Sequence, residues 1–177
     1  PHNAAMDSDK AQVMTTTYNG GAAPSTPPAA LPTLVAADLR TVSFFKGESG
    51  EEKTWFTHAY KSNGTDVRNT TVNYYVGNIT ADNAAMDSDK AQVMTKTYKG
   101  GAALSTPPAA LPTLVAADLR TVSFFQGESG EQKPWFAHDY KSHGTDVRNT
   151  TVNYYVGTIT AANAAMHSHR AQALTKP

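Results

Sequence analysis

The chain contains no cysteine. That excludes a disulfide framework, thiolate catalysis and cysteine-bound zinc. Net charge is absent as well, with 15 basic residues against 15 acidic ones and no basic stripe. Sequence-independent binding to phosphate backbones therefore has no electrostatic source, and nucleic acid is not an expected partner. No apolar run reaches the roughly 18 residues of a membrane helix. The longest, such as Ala109 to Ala117, are broken by Pro112 and Thr113, so no membrane span is expected. Helical periodicity is scarce. Its best candidate, Asn83 to Met94, is interrupted by Asp87-Ser88-Asp89. A Gly-x-Ser-x-Gly elbow is missing, and the expectation is a protein that is not an enzyme.

The dominant feature is a repeat with a period of 80 residues. Asn3 to Lys10 returns unchanged as Asn83 to Lys90, and residues 3–82 differ from 83–162 at only 11 positions. A weaker third copy begins at Asn163. The chain thus divides into units 18–97 and 98–177, preceded by the last 17 residues of another unit. A fixed period of this kind marks an array and argues against one asymmetric active site, since every catalytic group would be duplicated. The chain opens on Pro1-His2 inside a repeat, with no signal sequence, and so reads as a processed chain or a fragment.

Within a unit the strand signals are the strongest. Leu39 to Phe45 is rich in β-formers and stops at the Gly47–Gly50 turn. The run from Lys53 to Lys61 ends at Asn63-Gly64, a tight-turn dipeptide. Thr71 to Val76 alternates, with Val72, Tyr74 and Val76 on one face. Comparing the copies, Thr57 and Ala59 become Ala137 and Asp139, whereas Phe56, His58 and Tyr60 return as Phe136, His138 and Tyr140. A face that accepts Asp is wet, so Phe56 and Tyr60 are expected inward and Trp55 outward or at a rim. The expected core is Leu39, Val42, Phe44, Phe56, Tyr60, Val72, Tyr74 and Val76, with their partners 80 residues on. His58 and His138 read as half-buried, hydrogen-bonded strand histidines. Gly20 to Thr33 and Gly100 to Thr113 are rich in Gly, Pro and Ala and read as stiff, extended spacers.

Short strands with turns about every ten residues indicate an all-β sandwich. Ala37-Asp38-Leu39, then Gly47-Glu48-Ser49-Gly50-Glu51, then Lys61-Ser62-Asn63-Gly64-Thr65 and Val67 to Gly77 together resemble the immunoglobulin-like, CARDB-type adhesion repeats of bacterial and archaeal surface proteins. The same run recurs from Ala117 to Gly157. The resemblance implies small sandwiches with an extracellular role in adhesion, spacing or assembly, and no catalysis. On this reading 1–17 is the trailing segment of an incomplete repeat. Linkers 18–36 and 98–116 then alternate with immunoglobulin-like β-sandwich modules 37–97 and 117–177.

Four Asn-x-Thr triplets, at Asn63, Asn69, Asn78 and Asn149, are candidate glycosylation sites and point to a secreted surface. Asp87 and Asp89, two carboxylates two residues apart and repeated as Asp7 and Asp9, are candidate ligands for a hard cation such as Ca²⁺. His167 and His169 replace them in the third copy and would favour a transition metal. Glu48, Glu51 and Glu52 read as a solvated acidic turn. Trp55, Trp135, Tyr75 and Tyr155 are candidate platforms for stacking on sugar rings. Lys10, Val13 and Met14 form a candidate assembly strand that needs a sheet edge. The leading expectation is a non-enzymatic extracellular repeat protein that assembles head-to-tail with copies of itself or with other surface proteins. The alternative, from a different class, is a bivalent carbohydrate-binding module or lectin.

Overall fold

The computed structural model describes residues 9–20, 34–155, 159–160 and 172–176, the last two stretches through their backbone. The chain is all-β, as its alternation predicts. Its strands are β1 (Met14–Tyr18), β2 (Leu39–Lys46), β3 (Lys53–Tyr60), β4 (Val67–Tyr75), β5 (Gln92–Lys99), β6 (Leu119–Gln126), β7 (Lys133–Tyr140), β8 (Val147–Tyr155), β9 (Ile159–Thr160) and β10 (Gln172–Lys176). A single 3-10 turn precedes each of β2 and β6.

All ten strands join one antiparallel sheet in the order β1-β2-β3-β4-β5-β6-β7-β8-β10, with β9 pairing β8 beside that path. The separate sandwich modules expected from the sequence are not shown by this pairing. The physical reason lies in β5, which pairs with β4 on one side and β6 on the other. The strand that closes the first repeat also opens the second, so no edge is left to end a module at 97. The pairing Met14↔Phe44, Thr15↔Ser43 and Thr16↔Val42 between β1 and β2 recurs as Met94↔Phe124, Thr95↔Ser123 and Lys96↔Val122 between β5 and β6.

Register sorts the side chains by face. Phe44 pairs with Phe56 and Val42 with His58, while Val72 and Thr70 lie opposite the same two β3 residues on the other side. These form the apolar face, and all six are buried in the first repeat. The opposite face carries a row of hydroxyls, Thr15, Ser43, Thr57, Thr71, Thr97 and Thr121, on six neighbouring strands. Ser43 Oγ and Thr57 Oγ1 are 2.9 Å apart, as are Thr71 Oγ1 and Thr97 Oγ1. Cross-strand Thr–Ser and Thr–Thr pairs of this kind stabilise a sheet by a few tenths to about 1 kcal/mol each.

Two further expectations change. Trp55 is not outward: it is 0 % exposed. It is the extra residue where the β2–β3 register shifts between Phe44 and Phe45, and its ring meets that of Phe56 edge-on with centroids 5.1 Å apart, in the same apolar cluster as Tyr75, Ala81 and Met86. Val76, expected in the core, is exposed, because β4 ends at Tyr75 and a register shift between Tyr74 and Tyr75 breaks the alternation. Leu39 and Tyr74 are half-buried against the core, and the other five expected residues of the first repeat are buried.

Gly64 shows why the β3–β4 hairpin closes on the start of β2. Its φ is +69°, and a Cβ there would lie 2.0 Å from the Ala36 carbonyl oxygen. Only glycine permits this approach.

Candidate functional site

The segment 98–116, expected as an extended linker, lies against the sheet instead. Its leucines override its Gly and Pro content. Leu104, Leu111 and Leu114 all pack against the core of the first repeat. Leaving β5, the chain runs over the apolar face towards β2, where Ala103, Leu104 and Ser105 meet Leu39, Val42 and Tyr60. It then returns to lay Thr113 and Leu114 beside Gly100 and Gly101. Burying leucine side chains contributes about 1.5–3 kcal/mol each when complete and proportionately less here.

Polar contacts fix the crossing point. Gly100 N–H donates to the Arg68 carbonyl at 2.7 Å. The Thr70 hydroxyl donates to the Gly100 carbonyl at 2.7 Å, and His58 Nδ1 lies 2.9 Å from the same Thr70 oxygen. The single hydroxyl proton of Thr70 is used on Gly100, so His58 must donate from Nδ1. Its Nε2 is then an unprotonated acceptor. That atom is buried with no hydrogen-bond partner among the described residues, and the ring is flanked by Phe44 and Phe56. Burial pushes the His58 pKa down to about 4. At Gly101 a Cβ would sit 2.4 Å from Thr70 Oγ1 and 3.4 Å from His58 Cε1, so a glycine lets the strap lie flat on the sheet.

The second repeat has the same apolar face, and among the described residues no segment corresponds to that cover. Phe124, Phe136, His138, Tyr140, Thr150 and Val152 repeat the residues of the first face, and His138 Nδ1 again lies 2.9 Å from Thr150 Oγ1. Their burial differs. Phe124, Phe136, His138 and Tyr140 are only half-buried, and Thr150 is exposed. Val67 is 7 % exposed, whereas its twin Val147 is 44 % exposed.

A second concavity lies where the repeats join. A cleft of about 400 Å³ is lined by Asn78, Met94, Phe124, Phe125, Gln126 and Trp135 among others. In the first repeat, Lys46 Nζ lies 4.8 Å from the centre of the Trp55 ring. Gln126 stands at the corresponding position beside Trp135, with no charge.

The residues singled out from the sequence are scattered. Trp55, Tyr75 and Tyr155 are buried and offer no ring to a sugar, which corrects three of the four stacking candidates. Their hydroxyls serve the fold: Tyr75 donates to the Thr54 carbonyl at 2.8 Å and Tyr155 to the Pro134 carbonyl at 2.6 Å. Burial pushes the Tyr75 pKa up to about 12. Trp135 is half-buried, packed against Tyr155, and opens onto the junction cleft.

Asp87 sits in the loop before β5, where it accepts from the Asp89 amide at 3.1 Å and pairs with Lys90 at 3.0 Å. The Lys90 hydrogen bond holds its carboxyl below the usual range. Among the described residues no three His, Cys, Asp or Glu side chains converge on a cation position. His167, His169 and Asp7 lie outside the described residues.

Asn63, Asn78 and Asn149 are exposed, and Asn69 is half-buried on the hydroxyl face. The Asn63 Oδ1 accepts from the amides of Thr65 and Asp66, and Asn78 has φ +58°. Lys10 and Val13 are exposed, and Met14 pairs with Phe44 of the same chain. Glu52 is held below the usual carboxylate range chiefly by the Gln12 amide, which donates to it at 2.8 Å.

The strap was missed because Gly and Pro density dominated the reading of 100–114. The available signal was three leucines in a segment otherwise made of small residues. Compared with known proteins, the chain matches no family model, no curated protein and no solved structure.

Proposed function

We propose that this chain is a non-enzymatic structural repeat protein of the cell exterior, in which 80-residue units extend one sheet into a stalk or filament. The observation that supports it most is the residue-for-residue recurrence of the β1–β2 pairing at β5–β6. A strand that fits between two repeats inside the chain has the chemistry to fit between two chains. Among the described residues β1 pairs only with β2, and β10 pairs only with β8. The register of β10 on β8, Tyr154↔Leu174 and Val152↔Lys176, repeats that of β5 on β4. Head-to-tail growth would therefore place β1 of one copy where β10 stands in the next, as β5 does within the chain. The exposed Asn-x-Thr triplets and the resemblance to surface adhesion repeats support an extracellular, glycosylated setting. Electron microscopy of the native protein, with intact mass on the same sample, tests the reading. Filaments that vanish when residues 1–17 are deleted, and a mass above 18.9 kDa, are expected. Discrete particles of unmodified mass would overturn it.

The junction cleft favours one alternative, a carbohydrate-binding protein. Its volume is in the range of small-ligand sites, and it combines the Trp135 ring with the Asn78 and Gln126 amides. Because Trp55 is shut, this lectin would carry one such site rather than two. A glycan array positive for the native chain and negative for Trp135→Ala would favour it.

A further inference from the structure

We propose that residues 100–114 form an acid-released strap: protonation of His58 lifts the chain at Gly100 and Gly101 and bares the apolar face of the first repeat, while the sheet beneath stays paired. This goes beyond the assembly reading and does not depend on it. The His58 ring is boxed in by aromatic neighbours. Phe44 meets it edge-on from β2 with ring centres 6.0 Å apart, and Phe56 and Tyr60 flank it along β3 at 5.2 and 6.4 Å. Thr70 of β4 accepts from Nδ1, which leaves Nε2 buried and without a partner among the described residues. A proton on Nε2 would place a positive charge there with nothing to accept from it.

No neighbouring charge relieves that cost. Strands β2 to β5 and residues 100–114 contain no Asp or Glu. The titratable groups that alternate onto the His58 side of the sheet are Tyr60 of β3, Tyr74 of β4, and Lys96 and Tyr98 of β5. Arg40 and Arg68 stand near the starts of β2 and β4. All of these are neutral or cationic, and the lysine and arginines oppose a further positive charge. The imidazolium must therefore reach water.

The strap is the element that yields. Strands β2, β3 and β4 are each held by a ladder on both sides. Among the described residues the strap pairs with no strand. It is anchored by the Gly100 amide on the Arg68 carbonyl, the Thr70 hydroxyl on the Gly100 carbonyl and a hydrogen bond of the Leu104 backbone to the Tyr60 phenol. Residues 101–103 and 105–107 are exposed. Gly101 lies beside Cε1, the carbon between the two ring nitrogens, where a Cβ would come within 3.4 Å. Lifting it opens that edge of the ring to solvent. A segment with so few buried contacts opens at less cost than the whole repeat.

Native-state hydrogen exchange of the full chain, read residue by residue by NMR, tests this. After correction for the intrinsic exchange rate, opening at the Gly100 amide should rise about thirtyfold between pH 7.5 and pH 5, since His58 regains its usual pKa of 6.5 in the open form against about 4 in the closed one. The ladder amides of β3 and β4 should stay better protected than Gly100 at both pH values. His58→Leu should abolish the rise, and His138→Leu should keep it. Where His58→Leu does not fold, the native chain and His138→Leu decide. Opening at Gly100 that is the same at both pH values overturns the inference. So does equal protection of Gly100 and the ladder amides, because the whole repeat would then open together. A response lost in His138→Leu overturns it as well.

Discussion

Acid should unlatch the strap on the first repeat through His58. The imidazole is fully buried, donates from Nδ1 to Thr70, and leaves Nε2 among aromatic rings with no partner among the described residues to share a second proton. Its pKa falls from 6.5 to about 4 on burial. Above pH 6.5 the ring is neutral in both folded and unfolded chains, and the stability it permits is fully present. Between those values the unfolded state binds the extra proton, so stability falls as pH falls through the window and levels off below the folded value. The fall from 6.5 to about 4 corresponds to roughly 3 kcal/mol, at about 1.36 kcal/mol for each tenfold change in proton affinity. Urea unfolding at half-unit pH steps from 7 to 4 measures it, with His58→Leu as the reference, since Leu preserves volume and cannot titrate. Exposed carboxylates contribute equally to both proteins and cancel in the difference. The wild type should lose about 3 kcal/mol more than the variant across this range. Parallel curves would refute the argument and show that Nε2 finds a partner or water on protonation.

Other substitutions probe the same architecture. Gly101→Ala forces a Cβ to 2.4 Å from Thr70 Oγ1 at a φ of +141° and should destabilise the first repeat by about 2–4 kcal/mol in thermal or urea unfolding. Leu111→Ala with Leu114→Ala removes two half-buried anchors. Hydrogen exchange should rise at Phe56 to Tyr60 and stay unchanged at Phe136 to Tyr140, at a combined cost of about 2–4 kcal/mol. Tyr75→Phe deletes the 2.8 Å bond to the partly buried Thr54 carbonyl, at a cost of about 1 kcal/mol by chemical denaturation.

The strands were legible because period-2 alternation and β-branched residues act locally. Val42, Phe44, Phe56 and Val72 declare a face through their own spacing. The Asn63-Gly64 and Gly47–Gly50 turns set the hairpins for similar reasons. Pairing partners were not legible. A strand that could close a sandwich and a strand that continues a sheet carry the same alternation, and only the register at β5 separates them. Trp55 defeated the pattern because the register shift between Phe44 and Phe45 breaks the alternation there and brings its ring against Phe56 in the core. The strap was illegible because packing of Leu104, Leu111 and Leu114 is tertiary and overrides local composition. Of the stacking candidates only Trp135 reaches a cleft, and the Gln126 that replaces Lys46 was visible in the sequence before its consequence was.

The strap also sets a timetable for synthesis. The sheet of the first repeat is laid down by residue 99, yet its apolar face closes only once Leu104, Leu111 and Leu114 have followed. A nascent chain emerging at about 5–20 residues per second therefore carries Phe44 and Phe56 open for roughly a second or more after their own strands exist. In tandem arrays each repeat waits for the next in this way. A gene cut at a repeat boundary separates a sheet from its cover, and a cut placed after the strap keeps the two together.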